Sequence, residues 1–221
     1  MKKNIKFLFA LLSLIILFNS STAYAKVFKD TKNHWAKVYI DEMSDRGFLT
    51  GYAQNTFKPD DMMSRAEFYS IINSMAGLEK TYTVTFSDVS TSDWYYQDIA
   101  KAIKAGYLTP TTGALNPNKP ISRQEVMAII GYMYKVKPDA GAVAKFTDVS
   151  SIRNENRGYV GALVKVGVVN GGAGGMLYPN NPMTRAEVAK VLFTMVDKYE
   201  LPSERVVVDS KIKFGDRNLY N

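Results

Sequence analysis

The chain has 221 residues, of which 46% are hydrophobic and 22% charged, a balance typical of a globular protein and not of a disordered one. Its formal net charge is +7, and three of the positive charges are lysines within the first six residues. The remainder is mildly basic, which is compatible with a polyanionic partner but does not indicate nucleic-acid binding. The lack of cysteine and the single histidine, His34, exclude disulfides, thiolate chemistry and a histidine-rich metal site.

The N-terminal segment has the pattern of a secretory signal. The early lysines precede an apolar stretch at 7–18, and Ala23 and Ala25 form a small-x-small cleavage site. An uncleaved membrane anchor is the alternative, but this stretch is shorter than the roughly 20 residues that span a bilayer. We therefore predict a signal peptide over 1–25 and a secreted mature chain that starts at Lys26 and has no transmembrane segment.

Beyond this segment the sequence repeats itself three times. Each copy contains, in one order, a Phe-x-Asp string, a glycine, a proline and a Ser/Thr-Arg-x-Glu string. The aspartate, glycine, proline and arginine of the three copies are Asp30, Gly47, Pro59 and Arg65; Asp88, Gly106, Pro117 and Arg123; and Asp148, Gly167, Pro179 and Arg185. The aspartates are 58 and 60 residues apart, and the arginines 58 and 62. Landmarks that recur in register indicate a repeat protein.

Each copy predicts the same elements along the chain. The Phe-x-Asp segment is expected to be short and extended. An amphipathic helix follows, marked in the second copy by Ile99, Ala102 and Ile103, and it ends at the glycine, where a left-handed backbone costs least. A loop then runs through the proline to a second helix, whose apolar face includes Val126 and Ile130 in the second copy.

One such unit buries little apolar surface alone, so the three units are expected to pack against each other. The prediction is a single all-α domain of three interlocked helix-loop-helix repeats, at 26–84, 85–144 and 145–202. The segment 203–221 is expected to be a short tail, either a strand or a frayed end.

The Ser/Thr-Arg-x-Glu string combines two features. Its hydroxyl and its glutamate match a capping box at the start of the second helix. The arginine stands at the first helical position, where a positive charge opposes the helix dipole at a cost of roughly 0.3 kcal/mol or more. Either each arginine pairs with an acidic side chain, for which the repeated aspartates are the obvious partners, or it joins the free amides of the helix start to hold an external anion. Spacing does not decide between these alternatives, and both can hold.

Two tryptophans, Trp35 and Trp94, stand 12 residues before the helix-ending glycines of the first two copies. Such a ring can pack on the apolar face of a sugar or fill the space between repeats, and the bare pattern favours core packing. The third copy has Glu155 at this position, so a site that needs the ring is altered there.

No recurring set of side chains indicates catalysis or metal binding. The glycine-rich segment 171–175 lacks the Gly-Lys-Ser/Thr ending of a phosphate-binding loop, and the acidic residues after Pro59 lack the alternation of a calcium loop. No carboxylate pair recurs in the way expected of a glycosidase. We therefore predict a non-enzymatic protein without a metal or a cofactor.

Together, the Phe-x-Asp, Trp, Gly and Ser/Thr-Arg-x-Glu landmarks after a signal sequence resemble the S-layer homology (SLH) domain over nearly all of the mature chain. The resemblance implies a pseudo-threefold trimer of repeats with a central helical bundle and grooves between neighbours. It also implies a cell-wall or cell-surface module that binds secondary cell wall polysaccharide non-covalently, with the arginines in contact with an acidic ketal-pyruvate sugar. The implied glycan-binding residues are Arg65, Arg123, Arg185, Asp30, Asp88, Asp148, Trp35, Trp94, Gly47 and Gly106.

Two departures from the family pattern affect this expectation. The third copy lacks the tryptophan, so the grooves of Arg65 and Arg123 are the better candidates. The second motif has Gln124 in place of alanine, a mild change. Two other functions are considered: a structural or interaction protein of the cell surface, in which the arginines only pair with the aspartates, and a wall-active enzyme.

Overall fold

The computed structural model describes residues 27–203, so the predicted signal peptide and nearly all of the predicted tail lie outside the described residues. Within this range the α-helices form three pairs: α1 (Lys37–Asp45) and α2 (Arg65–Met75), α3 (Tyr96–Ala105) and α4 (Arg123–Met133), and α5 (Asn154–Lys165) and α6 (Arg185–Lys198). Short 3-10 turns and isolated β-bridges occur between them, and residues 27–203 contain no sheet. The predicted all-α class is confirmed.

The helices begin and end at the predicted motifs. Capping boxes start α2, α4 and α6: the cap amide donates to the glutamate three residues later at 2.8 Å for Ser64, 3.0 Å for Ser122 and 2.8 Å for Thr184. The first helix of each pair ends beside a glycine with left-handed backbone, with φ of 77° at Gly47, 87° at Gly106 and 71° at Gly167.

The Phe-x-Asp segment is not extended, so that prediction is wrong. In the first repeat it continues into a 3-10 turn at Lys29–Thr31. The turn brings the carboxylate of Asp30 to the loop before Pro59, where it accepts hydrogen bonds from two backbone amides. These bonds between parts of the chain far apart in sequence decide the local conformation, which the residues of the segment alone do not.

A closed ring of backbone hydrogen bonds joins the three repeats at their centre. Met63 donates to Met183 at 3.0 Å, Met183 donates to Ile121 at 3.1 Å, and Ile121 donates to Met63 at 2.9 Å. All three side chains are buried. Each repeat therefore makes the same contact with the next one in cyclic order, which is the pseudo-threefold arrangement that the resemblance implied.

Loops of neighbouring repeats hold the starts of the second helices. The second helical amide donates to the recurring proline carbonyl of the next repeat, at 2.9 Å from Ala66 to Pro117, from Gln124 to Pro179 and from Ala186 to Pro59. Helix-start amides need such partners. Because each repeat depends on the next for them, the three repeats form one structural unit.

The helices pack in the same cyclic order. Each second helix lies against the first helix of the following repeat, so that α2 contacts α3, α4 contacts α5 and α6 contacts α1. In α4 every side chain except Arg123 and Glu125 is buried. Phe68 of α2 and Leu192 of α6 have no exposed surface. The apolar faces of the three second helices thus form a common core.

Gln124 stands where the other two motifs have alanine, and its side chain joins the second repeat to the third. Its amide nitrogen donates to the Ser151 carbonyl at 3.2 Å and to the Asn180 side chain at 2.6 Å. Its amide oxygen accepts from the backbone of Arg153 at 2.9 Å and from the side chain of Asn156 at 3.0 Å. The buried glutamine therefore uses its full hydrogen-bonding capacity.

We expect Gln124→Ala to lower the free energy of unfolding by about 2 to 3 kcal/mol, because it leaves buried polar groups of the third repeat without partners. Urea denaturation followed by circular dichroism measures the loss. Gln97→Ala, on the exposed face of α3, is the matched control and is expected to change stability by less than about 0.5 kcal/mol. Equal effects of the two substitutions would contradict the role of the network.

Candidate functional site

The repeated aspartates do not pair with the motif arginines, so that one of the two alternatives for the arginines is wrong as far as these partners are concerned. Asp30 accepts hydrogen bonds from the amides of Phe57 at 2.9 Å and Lys58 at 2.7 Å. Burial raises the pKa of Asp30, but the hydrogen bonds from these amides lower it by a larger amount. The pKa of Asp30 therefore lies below its ordinary value. The equivalent bonds run from Leu115 and Asn116 to Asp88, and from Leu177 and Tyr178 to Asp148.

These aspartates stabilise an unfavourable backbone. The residue before each recurring proline has a φ of 56°, at Lys58, Asn116 and Tyr178. Residues with side chains adopt this left-handed region rarely. The amide of this residue is one of the two that donate a hydrogen bond to the aspartate carboxylate. The aspartates therefore shape the loops that line the grooves described below.

The first amides of the second helices are not free, which removes part of the expected anion site. Each of these amides donates a hydrogen bond to a backbone carbonyl of a neighbouring repeat. The bonds run from Arg65 to Lys119 at 3.1 Å, from Arg123 to Asn181 at 2.8 Å and from Arg185 to Asp61 at 2.9 Å. An anion at this position would therefore be held by side chains and not by the helix start.

Three grooves between neighbouring repeats open on the part of the surface that residues 27–203 form. In each, one repeat supplies the loop after its first helix and the glutamate of its capping box, and the motif arginine of the preceding repeat lines the groove or pairs with that glutamate. In two of them the remaining repeat supplies the residue at the tryptophan position, Trp94 in one and Glu155 in the other. We name the grooves by their arginines: the Arg65 groove, the Arg123 groove and the Arg185 groove.

The Arg185 groove has a volume of about 160 Å³, and its lining includes Thr50, Tyr52, Glu67 and Trp94. Arg185 is buried and donates to the carbonyl oxygens of Thr50 at 2.8 Å and Phe57 at 2.9 Å. The hydroxyl of Tyr52 donates to Glu67 at 2.7 Å. Burial and this hydrogen bond raise the pKa of Tyr52 to about 12, so the hydroxyl remains a donor at neutral pH.

The Arg123 groove has a volume of about 250 Å³, and its lining includes Asn170, Gly171, Tyr178 and Glu187. Arg123 donates from Nη2 to the Asn170 carbonyl at 3.2 Å, while its Nε is buried without a hydrogen-bond partner among residues 27–203. Burial lowers the pKa of Arg123, but an arginine remains charged at neutral pH. A buried guanidinium nitrogen without a partner favours an anionic oxygen beside it.

Trp35 lies against α6, the helix that supplies Glu187 to the Arg123 groove. Its ring centre is 5.9 Å from Nζ of Lys190, and Lys190 follows Glu187 by about one turn of α6. Next to it, the rings of Tyr39 and Phe193 are 5.2 Å apart, which joins the first repeat to α6. Trp35 therefore packs beside α6 through a cation–π contact, but Trp35 and Lys190 are not part of the lining of the Arg123 groove.

The Arg65 groove is the largest of the three, at about 480 Å³, and its lining includes Tyr69, Tyr107, Thr111, Glu125, Arg153 and Glu155. Arg65 makes a bidentate pair with Glu125, with Nε–Oε1 at 3.0 Å and Nη2–Oε2 at 3.1 Å. Burial raises the pKa of Glu125, but hydrogen bonds from Arg65 and Ser122 outweigh it and place the pKa below its ordinary value. From the local spacing, Glu125 was predicted to serve only in the capping box, and its pairing with the distant Arg65 was missed.

The tryptophans are on the surface, so the prediction of core packing is wrong. Trp35 is 56% exposed and Trp94 is 62% exposed. Each lies two residues before the first helix of its repeat, on a turn that leaves much of the ring open to solvent. An exposed ring beside a groove is available to stack on a ligand.

The missing tryptophan does not affect the groove of the third arginine. Trp94 of the second repeat lines the Arg185 groove, and Glu155 of the third repeat lines the Arg65 groove. The missing tryptophan is therefore no reason to prefer the Arg65 groove over the Arg185 groove, because the arginine and the residue at the tryptophan position come from different repeats. Which of the grooves binds a glycan stays a prediction.

Gly47 and Gly106 end the first helices and let the following chain turn into the grooves. Thr50, three residues after Gly47, lines the Arg185 groove, and Thr109, three residues after Gly106, lines the Arg65 groove. A direct contact of either glycine with a glycan stays a prediction.

We expect the protein to lose stability as the pH falls below about 4.3, the ordinary pKa of glutamate. The pKa values of Glu67 and Glu125 are lowered in the fold, so the unfolded chain binds protons first and the stabilisation disappears as pH falls through the folded pKa values. Urea midpoints between pH 7 and pH 3 measure this. Glu125→Gln should show a shallower decline, and an unchanged slope would contradict the assignment.

Two further features bear on the kind of site. Residues 27–203 contain no group of three or more His, Asp or Glu side chains placed to hold a metal ion. None of the helices in that range is long and apolar enough to cross a membrane.

The fold is that of a helical repeat module, in which three repeats close into a ring with arginine and glutamate side chains at the grooves between them. The S-layer homology domain family matches at residues 27–68, 85–127 and 145–189, one match in each predicted repeat. The chain belongs to this family.

Similar regions occur in proteins with different names. An amylopullulanase of Thermoanaerobacterium thermosulfurigenes is 32% identical over 79% of this chain and 10% of its own length. A surface-layer 125 kDa protein of Lysinibacillus sphaericus is 29% identical over 75% of this chain and 14% of its own length. A cellulosome-anchoring protein of Acetivibrio thermocellus is 35% identical over 34% of this chain and 17% of its own length. The chain thus spans a small part of these relatives.

Proposed function

We propose that the chain is a non-catalytic anchoring module that binds an acidic polysaccharide of the cell wall through its inter-repeat grooves. The observation that carries the proposal is Arg123, whose buried Nε has no partner among the described residues in an open groove. An acidic group on a sugar supplies the anionic oxygen that this nitrogen lacks, and Trp35 and Trp94 supply exposed rings for the apolar sugar face.

The relatives support a role in attachment to the cell surface and not in catalysis. An enzyme acting on polysaccharide, a surface-layer protein and an anchoring protein share this region, although their names describe different activities. A common need to attach to the cell surface accounts for the shared region. We propose a secondary cell wall polysaccharide that carries ketal-pyruvate groups as the ligand, because a pyruvate carboxylate combines an anion with an adjoining apolar sugar face.

Sedimentation with purified cell walls tests this function. We expect the protein to pellet with walls that carry the pyruvylated polysaccharide and to stay in solution after mild acid has removed the ketal. Arg123→Ala should weaken binding about 10-fold to 100-fold, since a hydrogen bond to a charged group contributes roughly 1.5 to 3 kcal/mol.

The matched control is Arg46→Ala. Arg46 pairs with Glu42 on α1 at 2.7 Å and lines none of the three grooves, so its loss should leave binding unchanged. Binding that survives both removal of the ketal and Arg123→Ala would overturn the proposal. Capture of an envelope protein without binding to bare walls would instead favour an interaction protein, and clearing of peptidoglycan in a zymogram would indicate an enzyme.

A further inference from the structure

One asparagine in the loop after α5 differs from its counterparts in the other repeats. The residue three positions after the helix-ending glycine is Thr50 in the first repeat, Thr109 in the second and Asn170 in the third. Asn170 is followed by Gly171, and the two form the only Asn-Gly pair of the chain. The side-chain amide of an asparagine can react with the backbone nitrogen of the next residue, whereas a threonine has no side-chain carbonyl carbon for this reaction.

Packing requires a glycine directly after Asn170. A Cβ added to Gly171 would lie 2.4 Å from Cε1 of Phe146 and 3.1 Å from the carbonyl oxygen of Met176. Gly51, the counterpart in the first repeat, is equally confined, with the ring of its own Phe-x-Asp string at 2.2 Å. The fold thus places the smallest residue beside the asparagine, and no side chain on residue 171 hinders the approach of its backbone nitrogen to the Asn170 amide.

Both reacting groups are accessible. Asn170 and residues 171–175 are exposed, and the Asn170 side chain makes no hydrogen bond within residues 27–203. The backbone amide of Gly171 donates no hydrogen bond in the same range, although the next amide, of Gly172, donates to Met176 at 2.8 Å. Four of the residues at 171–175 are glycines, which adopt many backbone conformations. Water and hydroxide therefore reach the pair, and the loop is free to bring the two groups together.

We propose that Asn170 is a site of spontaneous deamidation, at which the protein converts a neutral side chain into a carboxylate. The nitrogen of Gly171 gives its proton to hydroxide and attacks Cγ of Asn170, and a bond forms between these two atoms. The Cγ–Nδ2 bond breaks, the leaving nitrogen takes a proton from water, and ammonia departs. The product is a cyclic succinimide. Water then opens this ring at either of its carbonyls and gives aspartate or isoaspartate, so the net reaction consumes water and releases ammonia.

The product places a carboxylate beside Arg123, because Asn170 and Gly171 both line its groove. In isoaspartate the chain continues through the side chain, and the former main-chain carbonyl of residue 170 becomes the free carboxylate. Its oxygen is the one that accepts from Nη2 of Arg123 at 3.2 Å. A hydrogen bond to a neutral carbonyl thus becomes an ion pair. Since Glu187 also lines this groove, two carboxylates then face the guanidinium, and their charge disfavours a further anion.

Deamidation therefore acts as a timer of anchoring, in which the fraction of chains that bind falls with their age. This step rests on the proposed function, because it requires that Arg123 meets an acidic group of the polysaccharide. In a newly made chain the Nε of Arg123 has no partner among residues 27–203. In an aged chain the guanidinium is neutralised by its own loop. The reaction needs only water and hydroxide, so its rate rises with pH and temperature.

Peptide mapping by mass spectrometry tests the modification, after the full mature chain has been incubated at mildly alkaline pH. Trypsin gives a peptide 166–185 that contains both Asn170 and Asn180. We expect Asn170 to show the mass of a carboxylate in place of an amide, and an isoaspartyl methyltransferase to label the product. Asn180 is the internal control and should stay unchanged, because its side chain accepts a hydrogen bond from Gln124 at 2.6 Å and is not followed by glycine. No conversion of Asn170, or equal conversion of Asn180, would overturn the site.

Sedimentation with purified cell walls tests the consequence. Fresh and aged samples are compared for the unmodified chain and for Asn170→Thr, which carries the residue of the other two repeats and cannot form the succinimide. We expect ageing to weaken wall binding about 10-fold in the unmodified chain and to leave Asn170→Thr at its own fresh value. In Arg123→Ala, ageing should modify Asn170 without a further loss of binding, because the partner of the new carboxylate is absent. Circular dichroism verifies that the aged samples stay folded.

The outcomes separate the steps of the proposal. An equal loss of binding in aged Asn170→Thr, or unchanged binding by a chain that is fully converted at Asn170, would overturn the timer. A further loss in aged Arg123→Ala would overturn its route through the arginine. If the fresh chain does not bind walls, the proposed function and the timer both fail, and the mass-spectrometric result alone still decides whether Asn170 is a modification site.

Discussion

Arg185→Ala is expected to lower the free energy of unfolding by about 3 kcal/mol, the largest stability loss among the three motif arginines. The side chain is 4% exposed and joins the third repeat to the first through the carbonyls of Thr50 and Phe57. Its guanidinium lies 4.5 Å from the ring centre of Phe57. Truncation leaves two carbonyls without donors and a cavity against that ring. Urea denaturation at neutral pH measures the loss.

Arg123→Ala is the matched comparison, because it removes the same side chain from the same motif position. Arg123 donates one hydrogen bond, to Asn170, so we expect a stability loss of about 1 kcal/mol or less. The two arginines would then divide into one that mainly stabilises the ring of repeats and one that mainly binds ligand. A stability loss of the same size for both would contradict this division.

Gly161→Ala is expected to destabilise the domain by about 3 kcal/mol or more, through overpacking. A Cβ at this position of α5 would lie 1.8 Å from the carbonyl oxygen of Asp139, and backbone cannot yield as a flexible side chain does. Asp139 must then move away from α5, which breaks its hydrogen bond to the Gly158 carbonyl at 2.9 Å. The thermal midpoint by calorimetry measures the effect.

Gly113→Ala serves as its control. An added Cβ there would meet only the hydroxyl of Thr111, at 3.6 Å, an ordinary contact in an exposed loop. We expect its thermal midpoint to stay within a few degrees of the unmodified protein, since exposed substitutions usually change stability by less than about 0.5 kcal/mol. A loss comparable to that of Gly161→Ala would contradict the assignment of the Gly161 effect to the clash with Asp139, and no loss in Gly161→Ala would show that this clash is relieved without cost.

Local signals made much of the fold predictable. A capping box joins residues three apart, so Ser64 and Glu67 specify the start of α2 whatever the rest of the chain does. A glycine after an apolar helical stripe likewise specifies where α3 ends, at Gly106. Recurrence of these signals in register implied a repeat protein, and the three repeats can bury their apolar stripes only against each other.

The same local signals misled where a residue has a distant partner. Asp30 was one of the partners considered for an arginine, but its carboxylate accepts hydrogen bonds from two loop amides about 27 residues later. Trp35 was expected in the core because a large ring usually buries its surface, but the turn before α1 faces solvent.

The sequence alone thus determines the repeats, their helix starts and ends, and the identity of the arginines and tryptophans. The tertiary structure alone decides which of them meet. Cyclic closure of the ring places Arg185 beside Trp94 of the second repeat. It also pairs Arg65 with Glu125, which lines a groove together with Glu155 of the third repeat. Arg185 and Trp94, like Arg65 and Glu155, are about 90 residues apart in the sequence. Hydrogen bonds and packing between repeats create these neighbours, and no spacing along the chain encodes them.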